Sequence, residues 1–247
     1  MGGAGVQVRV WWTHQDVQPE ELRGWTVAVV DCLRATTTIA AALAAGATAV
    51  LPEREEDLAR RTAAARGAVL AGERACVPPP GFDLGNSPGT FTPAVVSGRE
   101  VVLWTTNGSQ ALGRAPAVDG ELLAFALVNV GATAAYLRRR GCTRLAIVCA
   151  GTEGAFSLED AFSAGALIER LAAGGPDVPE LEARASVADL LHRCGRTDPV
   201  ALLAGGGAAT RLRRVGLEED VAWAARVDAL PVVTAWYGGA LRRAAGA

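Results

Sequence analysis

The stretch Trp25-Thr26-Val27-Ala28-Val29-Val30-Asp31-Cys32-Leu33-Arg34-Ala35-Thr36-Thr37-Thr38 decides the fold. Trp25–Val30 is a continuous apolar run, as expected of a strand covered on both faces. It stops at Asp31, and Thr36–Ala45 reads as a helix closed by Gly46. A buried strand turning through polar residues into a helix is the unit from which parallel sheets are built. The unit recurs along the chain. Val101–Trp104 is a strand that ends in Thr105-Thr106-Asn107-Gly108-Ser109, with a short helix over Ser109–Arg114. Arg144–Cys149 is a strand that ends in Ala150-Gly151-Thr152-Glu153-Gly154, ahead of a long amphipathic helix over Leu158–Ala173. Val6–Trp12, Ala47–Leu51, Ala68–Ala71 and Leu122–Val128 predict further strands, and Glu53–Arg66 and Ala132–Arg140 further helices. Pro179 to Arg226 reads as largely helical with a break at Gly205-Gly206-Gly207, and Ala229–Val233 as a late strand. The expected fold is a three-layer α/β/α arrangement with a mainly parallel or mixed central sheet and a helical C-terminal third. Residues 1–175 form the sheet-rich part that carries the site. Residues 176–247 form a mostly helical part packed on it within one domain, and Gly174–Pro179 is the boundary.

Composition narrows the function. Half of the 247 residues are hydrophobic, enough for a sizeable core. The formal net charge is -2, so no basic face for nucleic acid is indicated. All 24 basic residues are arginine, which removes Schiff-base and P-loop lysine chemistry. The five cysteines form no C-x-x-C pair, so neither a zinc knuckle nor a dithiol redox site is indicated. Met1 to Gly5 has neither the basic region nor the apolar run of a signal peptide, and no apolar run is long enough to span a membrane. A cytoplasmic location with free thiols is expected. A homodimer is expected only as the commonest assembly.

The chemistry collects where strands end. In open parallel sheets ligands bind at the carboxyl ends of strands, and helix N-termini there favour anions. Three such ends, at Asp31, Thr105 and Ala150, would converge on one crevice. The competing reading is that their Thr, Ser and Asn residues are helix caps. A fourth segment, Gly72-Glu73-Arg74 with Gly81-Phe82-Asp83-Leu84-Gly85-Asn86-Ser87-Pro88, is a polar loop in a chain dominated by Ala, Leu, Val and Gly. Its glycines let the backbone approach a ligand. Asp31 directly follows a buried strand, where a carboxylate is costly unless it is paired. It is either a metal ligand or acid/base, or the structural partner of Arg34. Arg34 and Arg74 suit phosphate or carboxylate oxygens. Glu73 and Asp83 have no helical reason to be in the loop, whereas Glu159 and Asp160 open a helix, where the dipole alone favours acids. Magnesium wants such hard oxygens. His14 and His192 lie far from these motifs and are read as structural, which excludes a histidine metal site and a Ser-His-Asp triad. Cys32 is read as a small buried residue at a strand end.

Taken in order, Asp31-Cys-Leu-Arg-Ala-Thr-Thr-Thr, Gly72-Glu-Arg, Gly81-Phe-Asp-Leu-Gly-Asn-Ser-Pro, Thr105-Thr-Asn-Gly-Ser and Cys149-Ala-Gly with Glu159-Asp160 resemble the 2-phosphosulfolactate phosphatase family. The resemblance covers about Trp25 to Gly165. The tail, with Asp189 and Asp220 to Pro231, is similar more loosely. It implies a Mg2+-dependent phosphatase that converts 2-phosphosulfolactate to sulfolactate and phosphate, a step towards coenzyme M. Asp31, Glu73 and Asp160 are the expected metal ligands, and Asp31 and Arg34 the expected catalytic pair. Arg34, Thr36, Thr37, Thr106, Asn107, Gly108 and Ser109 are expected on the phosphoryl group. Arg74, Asp83, Asn86 and Ser87 are expected on the rest of the anionic substrate. The sequence departs from the family at Cys32, Cys76, Thr90, Trp104 and Ser109, where Val, Gly, an acidic residue, Thr and Thr are usual. A phosphatase for another small phospho-acid, and a non-catalytic binder of an anionic metabolite, are the alternative readings.

Overall fold

A computed structural model describes residues 5–113, 120–173 and 179–244. The first two-thirds alternate strands and helices as the sequence predicts: β1 (Gln7–Trp11), β2 (Thr26–Val30), α1 (Ala35–Ala44), β3 (Ala49–Glu53), α2 (Glu56–Arg66), β4 (Val69–Gly72), α3 (Pro93–Val96), β5 (Glu100–Trp104), α4 (Gly108–Leu112), β6 (Leu122–Phe125), α5 (Val130–Arg139), β7 (Arg144–Cys149) and α6 (Leu158–Ala172). They are followed by β8 (Glu180–Leu181), α7 (Ala183–Gly195), α8 (Pro199–Ala204), α9 (Gly207–Arg214), α10 (Glu219–Ala224), β9 (Thr234–Tyr237) and β10 (Ala240–Arg243). No helix among the described residues is long and apolar enough to cross a membrane.

Ten strands of the described residues form one sheet in the order β4-β5-β3-β10-β9-β6-β2-β7-β1-β8. Two parallel blocks, β4-β5-β3 and β6-β2-β7-β1-β8, flank an antiparallel hairpin, β10-β9. The hairpin is antiparallel to β3 on one side and to β6 on the other. The C-terminal third is therefore not helical throughout: its last strands lie in the middle of the sheet. The strand expected over Ala229–Val233 begins only at Thr234. Pro231 has no amide hydrogen for a ladder, and the Leu230 amide donates to the Val128 carbonyl instead. The boundary expected at Gly174–Pro179 falls on residues 174–178, outside the described residues.

Alternation along β2 builds the three layers. Ala28 and Val30 point into one cluster with Leu137 of α5, Phe162 and Leu167 of α6, Ala185 of α7 and Leu212 of α9. Val27 and Val29 point into the other, with Ile39 and Leu43 of α1. Each large apolar side chain buried in this way contributes roughly 1.5–3 kcal/mol. The α1 cluster also takes Val50, Val101 and Leu103 from the far block, so the sheet curls around α1. Neighbouring strands rotate by roughly 20–25°, so the strand direction turns by roughly 100° between β5 and β2. This rotation lets strand ends from the two blocks meet.

One side chain locks two of those ends together. Asp160, in the first turn of α6, accepts from the Cys32 amide at 2.8 Å and from the Gly151 amide at 3.1 Å. These amides follow β2 and β7, which are neighbours. Without the carboxyl group, both amides stay buried without an acceptor, at about 1–3 kcal/mol each. Asp160→Ala is expected to destabilise the metal-free protein by about 2–4 kcal/mol, and Asp160→Asn, which keeps one acceptor, by about half as much. Denaturant unfolding in the presence of a chelator checks this. A loss of stability seen only when divalent cations are present would assign Asp160 to a metal instead.

Candidate active site

The ends of β2, β4, β5 and β7 open on one cavity of about 600 Å³. Asp31, Glu73, Thr105 to Asn107, and Thr152 with Glu153 line it from those four ends. The convergence expected from the sequence is thus present, together with the polar loop that starts at Gly72.

The turn after β2 is held by its own threonines. The Thr36 hydroxyl accepts from the Asp31 amide at 3.0 Å and donates to the Asp31 carbonyl at 2.9 Å. The Thr37 hydroxyl donates to the Cys32 carbonyl at 2.7 Å. Both threonines are buried, and neither lines the cavity. They shape the turn rather than face a ligand. What the turn presents is the Asp31 carboxylate. Its Oδ1 accepts from the Ala35 amide at 3.2 Å, and its Oδ2 takes no hydrogen bond among the described residues. Gly108 lies against it: a Cβ there would sit 2.6 Å from Oδ2 and 2.3 Å from the Ala35 methyl. Only glycine lets the β5–α4 turn come this close to the β2 end.

Arg34 is buried and lines the cavity. Its partner is not Asp31 but Asp220, from the start of α10, at 2.7 Å. It also donates to the Ser87 hydroxyl at 3.2 Å and to the Cys76 carbonyl at 2.8 Å. Ser87 in turn donates to Asp220 at 2.8 Å. The guanidinium is therefore fixed by two points of the Gly72–Pro88 loop and by a helix.

The Gly72–Pro88 loop is anchored through Glu73. Its Oε1 accepts from the Thr106 amide at 2.9 Å, and its Oε2 from the Cys76 amide at 2.8 Å. Gly72 makes the approach possible, because a Cβ there would lie 2.0 Å from the Trp104 carbonyl oxygen. Ala75 and Cys76 both adopt left-handed conformations, with φ of 52° and 71°. Cys76, one of the departures noted in the sequence, thus holds a turn position that favours glycine. Arg74 projects from it into the cavity with no ion pair among the described residues. Asn86 is buried beside the cavity, and its Oδ1 has no hydrogen-bond partner. Asp83 lies elsewhere: it is exposed, outside the cavity lining, and caps the edge strand by accepting from the Leu70 amide at 2.9 Å.

In the β5–α4 turn, Thr106 and Asn107 face the cavity. Ser109 does not. Its hydroxyl accepts from the Thr105 amide at 3.0 Å and donates to the Leu103 carbonyl at 3.0 Å, closing the turn. Asp160 also lies outside the cavity lining, committed to the clamp described above. His14 hydrogen-bonds the Ala150 carbonyl and His192 pairs with Glu169, both as structural residues.

The electrostatics follow from burial. Desolvation pushes Asp31 up from 3.8 to about 7; Glu73 and Glu159 add to the rise, and Arg34 opposes it. Burial also raises Glu159, with Arg211 opposing. Burial and then the charges of Asp31 and Glu159 hold Asp160 well above the ordinary carboxylate range. Burial likewise raises the Cys32 and Cys149 thiols, so neither is a nucleophile at neutral pH. Strained pKa values of this kind cluster at functional sites.

Several lining residues went unread in the sequence. Arg54 and Glu55 follow β3, and the strand-end rule that found the other turns applies to them equally. Gln110 accepts from Arg54 Nε at 3.0 Å. Arg211 arrives from α9 and donates to the Thr152 hydroxyl at 3.3 Å. Nothing local in the sequence around Arg211 signals this position.

The family model described as 2-phosphosulpholactate phosphatase matches residues 11–238. A protein of Thermus thermophilus named probable 2-phosphosulfolactate phosphatase is 41% identical over 233 residues, which are 92% of this chain and 96% of the relative. A Synechococcus protein with the same name is 40% identical, covering 90% of this chain and 92% of its own. A third, from Deinococcus radiodurans, is 38% identical over 86% of this chain and 88% of its own. With the match running from β1 through β9 and the cavity built from the motifs that carry the resemblance, the chain belongs to the 2-phosphosulfolactate phosphatase family and is a phosphoric monoester hydrolase.

Proposed function

We propose that this cavity hydrolyses 2-phosphosulfolactate, or a closely related phospho-hydroxy acid, to the hydroxy acid and inorganic phosphate with the help of Mg2+. The observation that carries the reading is Asp31. It is a carboxylate at the end of a buried strand, with one oxygen free of donors, facing a cavity that arginines also line. The names of the relatives support the substrate class.

The residues fit a hard divalent cation. Asp31 Oδ2 needs a positive partner, and Glu73 and Glu159 add negative charge nearby. The buried, unpartnered Asn86 Oδ1 suits a donor such as a metal-held water. Among the described residues no three acidic, histidine or cysteine side chains form a closed metal shell. Magnesium suits such an open site, because it retains waters and takes substrate phosphate oxygens as ligands. Asp31 and Glu73 would hold it, and once bound it would neutralise charge on the phosphoryl oxygens as the P–O bond breaks.

The chain's own groups supply the remainder. Arg34, fixed by Asp220, offers a preoriented guanidinium to phosphoryl oxygens without an ordering cost at the moment of reaction. Thr106 and Asn107 offer the polar turn beside it. Burial of the Asp31 end strengthens each of these charges relative to water.

Three measurements test the reading. Phosphate release from a panel of phospho-hydroxy acids is expected to require Mg2+ and to be fastest with 2-phosphosulfolactate. No release from any member would favour a binding protein. Asp31→Asn is expected to reduce kcat/KM by about 10²-fold or more; full Mg2+-dependent turnover in this variant would remove Asp31 from the chemistry. The pH dependence follows from the raised Asp31. Between pH 3.8 and about 7 the folded protein holds a proton that the unfolded chain has released, so this contribution to stability is full at low pH and is lost as pH rises through 7. The metal-free Asp31→Asn protein should therefore lose less stability than the parent between mildly acidic and mildly alkaline pH. In the parent enzyme, turnover should rise with pH, and its midpoint should fall by up to about one unit per tenfold increase in Mg2+ as cation and proton compete. A midpoint indifferent to Mg2+ would argue against Asp31 as a ligand.

A further inference from the structure

Four arginines line the cavity, and they are not equivalent. Arg34 is committed to Asp220. Arg54, Arg74 and Arg211 make no ion pair among the described residues, although acidic side chains line the same cavity. A phosphoryl group beside Asp31 and Arg34 does not account for three further guanidiniums that make no ion pair among the described residues. Unpaired cations in one cavity call for a ligand that is anionic at more than one point.

Arg211 is the best mounted of the three. It stands on α9, whose inward residues Ala208, Ala209 and Leu212 are buried in the core, so its helix is fixed. It is half-buried, and Thr152 at the end of β7 holds its Nη2 at 3.3 Å. Arg74, by contrast, is exposed on a tight turn, and Arg54 is braced through Nε to the partly exposed Gln110. Arg211 enters the cavity from α9 and meets the β7 end at Thr152, whereas Asp31 stands at the β2 end. A fixed guanidinium on this second wall of the cavity suits another anionic group of a small substrate, with two parallel N–H donors for an oxyanion such as a sulfonate.

We propose that Arg211 is a specificity-determining residue that binds the second strongly anionic group of the substrate, the sulfonate, while Asp31 and Arg34 serve the phosphoryl end. The inference rests on the phosphatase reading above and deepens it. It makes the C-terminal helical segment part of substrate selection.

The test compares 2-phosphosulfolactate with phospholactate, which lacks the sulfonate, using the full chain with Mg2+. Arg211→Gln is expected to raise KM for 2-phosphosulfolactate at least tenfold and to change kcat by less than threefold. The preference for 2-phosphosulfolactate over phospholactate should fall by the same factor, and Arg211→Lys should lie between. An equal loss on both substrates, or an unchanged KM for 2-phosphosulfolactate, would overturn the assignment. A thermal melt of each variant separates misfolding from lost binding, and Arg211→Lys carries the comparison if Arg211→Gln does not fold. If the parent enzyme hydrolyses neither compound, the phosphatase reading fails on its own. Calorimetric titration with sulfolactate then decides Arg211: at least tenfold weaker binding to Arg211→Gln than to the parent supports it, and equal or absent binding to both overturns it.

Discussion

A carboxylate at the end of a fully buried strand is expensive, and much of this molecule is arranged around that cost. Asp31 follows Val30 without an intervening loop, so it cannot turn out to bulk water. Its solvation must come from protein groups or a bound cation. The Ala35 amide supplies one hydrogen bond, and Arg34 a partly compensating charge. Glu73 and Glu159 act in the opposite sense. The balance leaves Asp31 poised near neutrality. A site of this kind is unfavourable for stability and useful for chemistry, because its field is fixed before substrate arrives.

Holding such a site in shape takes polar side chains that bond to the backbone of its walls. Thr36, Thr37 and Ser109 satisfy backbone groups inside the turns, and Asp160 clamps the ends of β2 and β7. Glu73 ties the loop after β4 to the turn after β5 through two amides. Conversely, removing a side chain matters at Gly72 and Gly108, where any Cβ would collide with the neighbouring strand end. Motif residues in this chain thus divide into those that face the cavity and those that set the curvature of its walls.

That division explains what could be read from the sequence. The strands and helices up to α6 were legible because buried parallel strands are unbroken apolar runs, and polar turns punctuate them. Their convergence was legible from the strand-end rule. Roles within a motif were not. Thr36 and Ser109 have the chemistry of phosphate ligands, but a hydroxyl in a tight turn finds a backbone group first, and only coordinates reveal that choice. Asp160 was similarly ambiguous, being both a hard ligand and a good acceptor for two amides. The central hairpin was missed although Gly238-Gly239 between Trp236-Tyr237 and Ala240-Leu241 is a two-residue turn signal, with φ of 58° and 85° as such a turn requires.

The hairpin also accounts for the two long-range residues of the site that no local pattern announces. Because β9 and β10 must reach the gap between β6 and β3, the chain crosses the carboxyl ends of the strands on its way back from α7. That return path carries Arg211 to Thr152 and Asp220 to Arg34, a partner 186 residues away in sequence. The segment that leads to the hairpin thus supplies both Arg211 and Asp220 to the site region. A chain that has not inserted its last hairpin lacks the strands that join the two parallel blocks. Long-range pairing of this type is entropically costly to reach, so it forms late unless local contacts lead to it. Arg34 is held by an acid from near the far end of the chain, so its orientation rests on long-range contacts rather than on its own turn.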